Sequence, residues 1–295
     1  MFHGSIVALV TPMRESGEID FDCLRKLVDL HITSGTDAIV AVGTTGESPT
    51  LDIKEQLEVI RAVKEQAADR IPVIAGTGTN STQKSIALTR QAMEIGVDAC
   101  LLVTPYYNKP TQEGLFQHYQ AIAKAVPIPQ ILYNVPGRTG CDLLPDTVAR
   151  LAAIPNIVGI KEGKPEHVRA IVERCGTRLD ILSGDDITAL EVMALGGKGV
   201  ISVAANIVPK LLHEMCAAAL AGNLDSAQKI NQQLQLLFKN LFLESNPIPV
   251  KWAMQKMQLI PAGIRLPLTP LSAKFHEAVC AALKQANIQI YTQSG

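Results

Sequence analysis

Six cysteines (Cys23, Cys100, Cys141, Cys175, Cys216 and Cys280) are scattered along the chain and no two stand in C-x-x-C spacing, so they read as reduced packing residues. The six histidines are isolated too; H-x-H and H-E-x-x-H are absent, which excludes a histidine-built metal site. No block of one charge sign exists. With 27 basic and 28 acidic residues intermixed and a formal net charge of -1, nothing addresses a nucleic acid or an anionic membrane, and the expected ligand is small. No apolar stretch is long enough to span a bilayer, and Met1 to Val10 lacks a basic n-region, so the expected location is the cytoplasm.

What remains is 47% hydrophobic and only 19% charged over 295 residues, the make-up of a compact globular enzyme and not of a disordered or fibrous chain. Short apolar, β-branched runs recur at Ser5 to Val10, Ala38 to Val42, Pro72 to Ala75, Ala99 to Val103, Pro129 to Tyr133, Ile157 to Lys161, Asp180 to Ser183 and Gly199 to Val203. Between them lie stretches with apolar residues at helical spacing, such as Asp20 to Ser34, Asp52 to Ala68, Thr82 to Ile95, Gln112 to Ala125 and Leu143 to Ala153. Nearly continuous apolar strands alternating with helices predict a parallel sheet covered by helices, and eight strands favour a closed (β/α)8 TIM barrel over an open doubly wound sheet. Residues 1–222 are assigned to the barrel. Helical patterns continue at Leu211 to Ala221, Leu224 to Leu243, Val250 to Gln258 and Ser272 to Ala286, and residues 223–295, beyond the first of these, are read as a C-terminal helical region.

A dinucleotide-binding sheet would need a Gly-rich turn after the first strand, where this chain has Thr11-Pro12-Met13. Gly76-Thr77-Gly78-Thr79-Asn80 is Gly-rich, but it follows the third strand and lacks the third glycine of the fingerprint. It reads as a strand-to-helix loop with Asn80 or Ser81 as helix cap.

In such a barrel the site lies at the carboxyl ends of the strands. There the second strand leads into Gly43-Thr44-Thr45-Gly46-Glu47, the fourth into Thr104-Pro105-Tyr106-Tyr107-Asn108, the fifth into Tyr133 to Gly140, and the sixth ends at Lys161. A lysine in water, with a pKa near ~10.4, is almost wholly protonated at neutral pH and a poor nucleophile. Burial penalises the ammonium, so an amine at the tip of an apolar strand is a candidate covalent catalyst that forms a Schiff base with a keto substrate. A lysine after a strand is more often a solvated loop residue. The hydroxyls, phenols and guanidinium gathered at the same end shift the balance.

Together these segments resemble the dihydrodipicolinate synthases, within the pyruvate-dependent Schiff-base aldolases that include the N-acetylneuraminate lyases. G-T-T-G-E, V-T-P-Y-Y-N, I-L-Y-N-V-P-x-R-T-G, G-I-K-E, S-G-D-D and N-P-I-P-V-K-W occur in family order, and Gly4 to Met13 also matches. The resemblance implies that Lys161 condenses with pyruvate and that Tyr133 shuttles protons, with Thr44 and Tyr107 completing a relay to solvent. It makes Thr45 the holder of the pyruvate carboxylate and places Gly184 and Ile201 on the keto-acid pocket. Arg138, whose planar fork matches a carboxylate, would hold L-aspartate 4-semialdehyde. The implied reaction yields 4-hydroxy-tetrahydrodipicolinate, the first committed step of lysine and diaminopimelate biosynthesis. No cofactor or metal is implied, because the covalent imine with Lys161 is itself the electron sink. Tyr107 would enter a neighbouring subunit's relay beside Tyr106, which implies a homo-oligomer, a dimer at least and a homotetramer by family habit.

Two segments depart from the family pattern. Many bacterial members bind L-lysine at the dimer interface; Ser48, Asn80 and Tyr106 remain here, but Gln56 stands where a histidine is usual and Lys84 replaces a glutamate. Like charges about 4 Å apart repel by about 1 kcal/mol even in bulk water, so weak or absent lysine inhibition is expected. Gly163-Lys164-Pro165-Glu166 replaces an Ala-Thr-Gly run after the catalytic strand, from which an altered loop and unaltered chemistry are expected. The rival readings are a sugar-acid aldolase on the same barrel, which would not keep Arg138 in this setting, and a silent binding barrel, which the set Lys161, Tyr133, Thr44 and Tyr107 disfavours.

Overall fold

The structure, a computed structural model, describes residues 1–290; the last residues of the C-terminal helical region, 291–295, lie outside the described residues. Eight strands, β1 (Gly4–Ala8), β2 (Ala38–Ala41), β3 (Val73–Gly76), β4 (Ala99–Val103), β5 (Gln130–Tyr133), β6 (Ile157–Glu162), β7 (Asp180–Ser183) and β8 (Gly199–Ser202), form the sheet. Each pairs in parallel with the next, and β8 returns to β1 to close the barrel that the eight apolar runs predict. Side chains alternate along the strands. Ile6, Val40, Ile74, Leu101, Ile131, Leu182 and Ile201 fill the barrel, while Val7, Ile39, Val73 and Val200 face the helical shell.

The shell comprises α1 (Phe21–Thr33), α2 (Ile53–Ala67), α3 (Thr82–Ile95), α4 (Gln112–Ala125), the short turn α5 (Pro136–Thr139), α6 (Pro145–Leu151), α7 (Pro165–Cys175), α8 (Ala189–Ala194) and α9 (Pro209–Leu220). Local chemistry sets their ends. Asp52 and Glu55 form a reciprocal capping box at the start of α2, and Ser81 accepts from the Lys84 amide to open α3. Beyond them, α10 (Leu224–Asn240), α11 (Ile248–Lys256) and α12 (His276–Gln285) bury Leu234, Phe238, Trp252 and Val279 in the same apolar cluster as the outward face of the strands.

Three differences from the sequence pattern stand out, and two of them have a local physical reason. β1 stops at Ala8 instead of Val10, because the Val10 amide donates to the Asn206 side chain, 3.1 Å away, and not to a strand. The helix expected from Leu143 begins at Pro145, whose missing N–H suits a first turn. Helices α7 and α8, which fill the connections after β6 and β7, are not among the stretches that the sequence pattern singles out. The Gly-rich loop after β3 owes its glycines to close packing: a Cβ on Gly76 would lie 2.2 Å from the Val42 carbonyl oxygen, and one on Gly78 2.3 Å from the Val103 nitrogen. Among the described residues no helix is long and apolar enough to cross a membrane.

Candidate active site

Lys161 stands on β6 directly opposite Tyr133 on β5, and its Nζ lies 4.3 Å from the centre of the tyrosine ring. The ladder produces this proximity, since opposed residues of paired strands are about 4.8 Å apart. Both side chains are buried. They open on a cavity of about 140 Å³ at the carboxyl ends of the strands, which Thr44, Thr45, Arg138, Gly184 and Ile201 also line. The cavity therefore gathers every residue expected at the site except Tyr107.

The β2 loop brings up the two threonines under strain. Val42, a β-branched residue, adopts φ 57°, a conformation that L residues avoid and that surrounding structure must enforce. The enforcement is visible. Thr11 Oγ1 donates to the Gly46 carbonyl at 2.7 Å, and Glu47, itself at φ 57°, forms a buried ion pair with Lys251 of α11. The Lys251 ammonium also donates to the Thr11 carbonyl at 3.1 Å, and the second Glu47 oxygen accepts from the Arg265 amide at 3.2 Å. Burial lowers the Lys251 pKa against the attraction of Glu47.

Arg138 occupies α5, where its Nη2 donates to the main-chain carbonyl of Asn246 at 3.0 Å. The neck of its loop is closed by polar groups. Asn134 Nδ2 donates to Asp142 Oδ1 and to Glu162 Oε2, both at 2.7 Å, and Asn134 Oδ1 accepts from the Leu143 amide at 3.0 Å. Lys164, in the divergent segment, reaches Asp142 Oδ2 at 2.7 Å and stands just before α7, which has Pro165 at its first position. Burial opposes charge on Asp142, but the hydrogen bonds from Lys164 and Asn134 outweigh it and hold the carboxyl below its usual value.

Tyr107 points away from this cavity. It is 87% exposed, in a left-handed conformation at φ 77°. Tyr106 lines a second cavity of about 360 Å³ with Ser48 and Gln56, and this space shares Thr44, Tyr133 and Arg138 with the first. Lys84 is exposed on the first turn of α3 and does not line it. Asn80 offers its carbonyl to Asn108 at 2.9 Å. Sequence reading gave no role to Asn246, Glu47, Lys251 or Asp142; the first three lay inside the recognised motifs, but their partners are distant along the chain. Among the described residues no cluster of three or more His, Cys, Asp or Glu could hold a metal ion.

The fold and site define a (β/α)8 barrel with a buried lysine and tyrosine at the carboxyl end of its sheet. The profile described as the Dihydrodipicolinate synthetase family matches residues 1–286, and the chain belongs to that family. It is 62% identical over 290 residues to a 4-hydroxy-tetrahydrodipicolinate synthase of Nitrosococcus oceani, covering 98% of this chain and 99% of that protein. The crystal structure of a chloride-inhibited dihydrodipicolinate synthase from Acinetobacter baumannii, complexed with pyruvate, superposes with a TM-score of 0.97 at 55% identity, covering 98% of this chain and 100% of that one. A dihydrodipicolinate synthase variant characterised as monomeric gives 0.95 at 42% identity, covering 98% of each chain.

Proposed function

We propose that this chain is a lyase that condenses pyruvate with L-aspartate 4-semialdehyde through a Schiff base on Lys161. The observation that carries the reading is the pairing of Lys161 with Tyr133 at the wall of a cavity that also presents Thr45 and Arg138. The relatives named above, at 62% and 55% identity, support this choice of reaction and substrates.

The Lys161 amine adds to the keto carbon of pyruvate, and loss of water leaves the imine. A proton leaves the methyl carbon to give the enamine, which attacks the aldehyde carbon. The amino group of the semialdehyde then adds to the imine carbon and displaces Lys161, closing the ring of 4-hydroxy-tetrahydrodipicolinate. The imine serves as electron sink throughout, so the proposal needs no metal or organic cofactor. Tyr133 gives and takes the protons, and Thr44 passes them outward. Thr45 holds the pyruvate carboxylate, Gly184 and Ile201 shape its pocket, and Arg138 binds the semialdehyde carboxylate. Because Tyr107 is exposed, it would complete the relay of a second copy, which makes the working protein an oligomer, a dimer at least. Its expected location is the cytoplasm and its expected pathway lysine and diaminopimelate biosynthesis.

Pyruvate consumption by the purified protein, with the semialdehyde supplied and then withheld, tests the acceptor. Consumption that depends on the semialdehyde supports the synthase. Pyruvate with borohydride should add mass at Lys161, and its failure to do so, or near-normal turnover by Lys161→Ala, would sink the mechanism. Borohydride trapping without semialdehyde-dependent consumption would move the assignment to a sugar-acid aldolase.

A further inference from the structure

Thr45 follows β2 and Arg138 follows β5, three strands apart around the barrel, yet one residue touches both. Asn246, 5% exposed and carried by the segment that leads into α11, donates from Nδ2 to Thr45 Oγ1 at 2.9 Å. Its main-chain carbonyl accepts from Arg138 Nη2 at 3.0 Å. Asn246 also lines the 140 Å³ cavity that holds Lys161, and its Oδ1 is buried with no hydrogen-bond partner. A buried polar atom without a partner is unusual, and here it marks a side chain placed for the site and not for the core.

A threonine hydroxyl has one proton to give and lone pairs to accept with. Once Thr45 Oγ1 accepts from the Asn246 amide, its proton is directed elsewhere. The acceptor that the cavity is built to receive is a carboxylate. We propose that Asn246 is a positioning residue whose side chain presets the Thr45 hydroxyl as a donor to the keto-acid carboxylate, while its main chain independently anchors Arg138. The inference rests on the reading of Thr45 and Arg138 given under the proposed function. It divides the two substrates between two parts of one residue: side-chain changes act on the keto acid, and the semialdehyde subsite keeps its anchor.

The test is steady-state kinetics in both substrates for Asn246→Ala, Asn246→Asp and Thr45→Val, each compared with the parent enzyme. Asn246→Ala should raise the pyruvate KM about tenfold and leave the semialdehyde KM within about twofold. Asn246→Asp should be worse, because its carboxylate would accept the Thr45 proton and face the pyruvate carboxylate with like charge. A role confined to packing reverses that order, the near-isosteric aspartate being milder than alanine, and this result would overturn the proposal. So would a pyruvate KM unchanged in Asn246→Ala when Thr45→Val is impaired. An unchanged pyruvate KM in Thr45→Val overturns both the Thr45 assignment and the inference built on it. If Asn246→Ala does not fold, Asn246→Asp decides alone: a rise of about tenfold or more supports the proposal, and a parental KM refutes it.

Discussion

Tyr133 and Lys161 face each other because β5 and β6 are in register there, so the phenol is held beside the amine by main-chain hydrogen bonds and not by a flexible loop. Removing the hydroxyl while keeping the ring should leave the cavity intact and take away the proton shuttle. Tyr133→Phe is expected to lower kcat by about 100-fold, the lower range for loss of a general acid–base, with little change in pyruvate KM. A kcat within about threefold of the parent would remove Tyr133 from the relay. Arg138 spends one donor on Asn246, and the other guanidinium donors remain for a carboxylate. Arg138→Ala should raise the semialdehyde KM with the pyruvate KM unchanged. Arg138→Lys should not restore it, since an ammonium cannot match the planar fork.

The strained turn between β2 and α2 is stabilised from the far end of the chain by the Glu47–Lys251 pair. Both groups are almost wholly buried, so breaking the pair strands a charge that water cannot reach. Lys251→Met should cost about 3–5 kcal/mol, and the double variant with Glu47→Gln should recover a large part of it. Thermal melting checks this, and equal losses in the single and double variants would show that packing of α11, not the charge, is at stake. The divergent segment works differently. Lys164 and Asp142 are 37% and 30% exposed, where an ion pair contributes little to stability, at most about 1 kcal/mol. Its effect is to close the neck of the loop that carries Arg138.

Across the whole molecule, buried titratable groups act on stability in opposite directions. Burial lowers His31 and His118 from 6.5 to about 4, so the unfolded chain takes up protons that the fold refuses. Their contribution is complete above pH 6.5 and is lost as the pH falls toward about 4. Asp186 is the counterweight. Burial raises its carboxyl from 3.8 to about 6 against hydrogen bonds from Ser202 and the Ala204 and Val203 amides, so its protonated form favours the fold in acid and stability drops as the pH rises through that window. Asp186→Asn should raise the melting temperature at pH 7 and change it little near pH 4; the same gain at both would exclude titration as the cause. At the level of assembly, the family resemblance predicts that L-lysine inhibits weakly or not at all, because Lys84 stands where a glutamate would pair with its ammonium and Gln56 where a histidine is usual. Half-inhibition below the millimolar range would refute this.

The parts legible in the sequence were those encoded locally. Short, nearly continuous apolar runs announced each strand, a count of eight announced closure, and contiguous motifs marked Thr44, Thr45, Tyr133, Arg138, Lys161 and Gly184 at the strand ends, Ile201 being added by the family resemblance alone. Tyr107 was marked in the same way, although a single chain leaves it facing solvent. What only the tertiary structure decided were the contacts that barrel closure creates between distant segments. Thr45 and Asn246 are 201 positions apart, and Glu47 and Lys251 204. Spacing carries no signal at that range, since helix and strand periodicity extend only over their own element. The closed sheet supplies the missing information: it brings β2, β5 and the C-terminal helices to one mouth, and there hydrogen-bond satisfaction and charge pairing choose partners that the sequence leaves open.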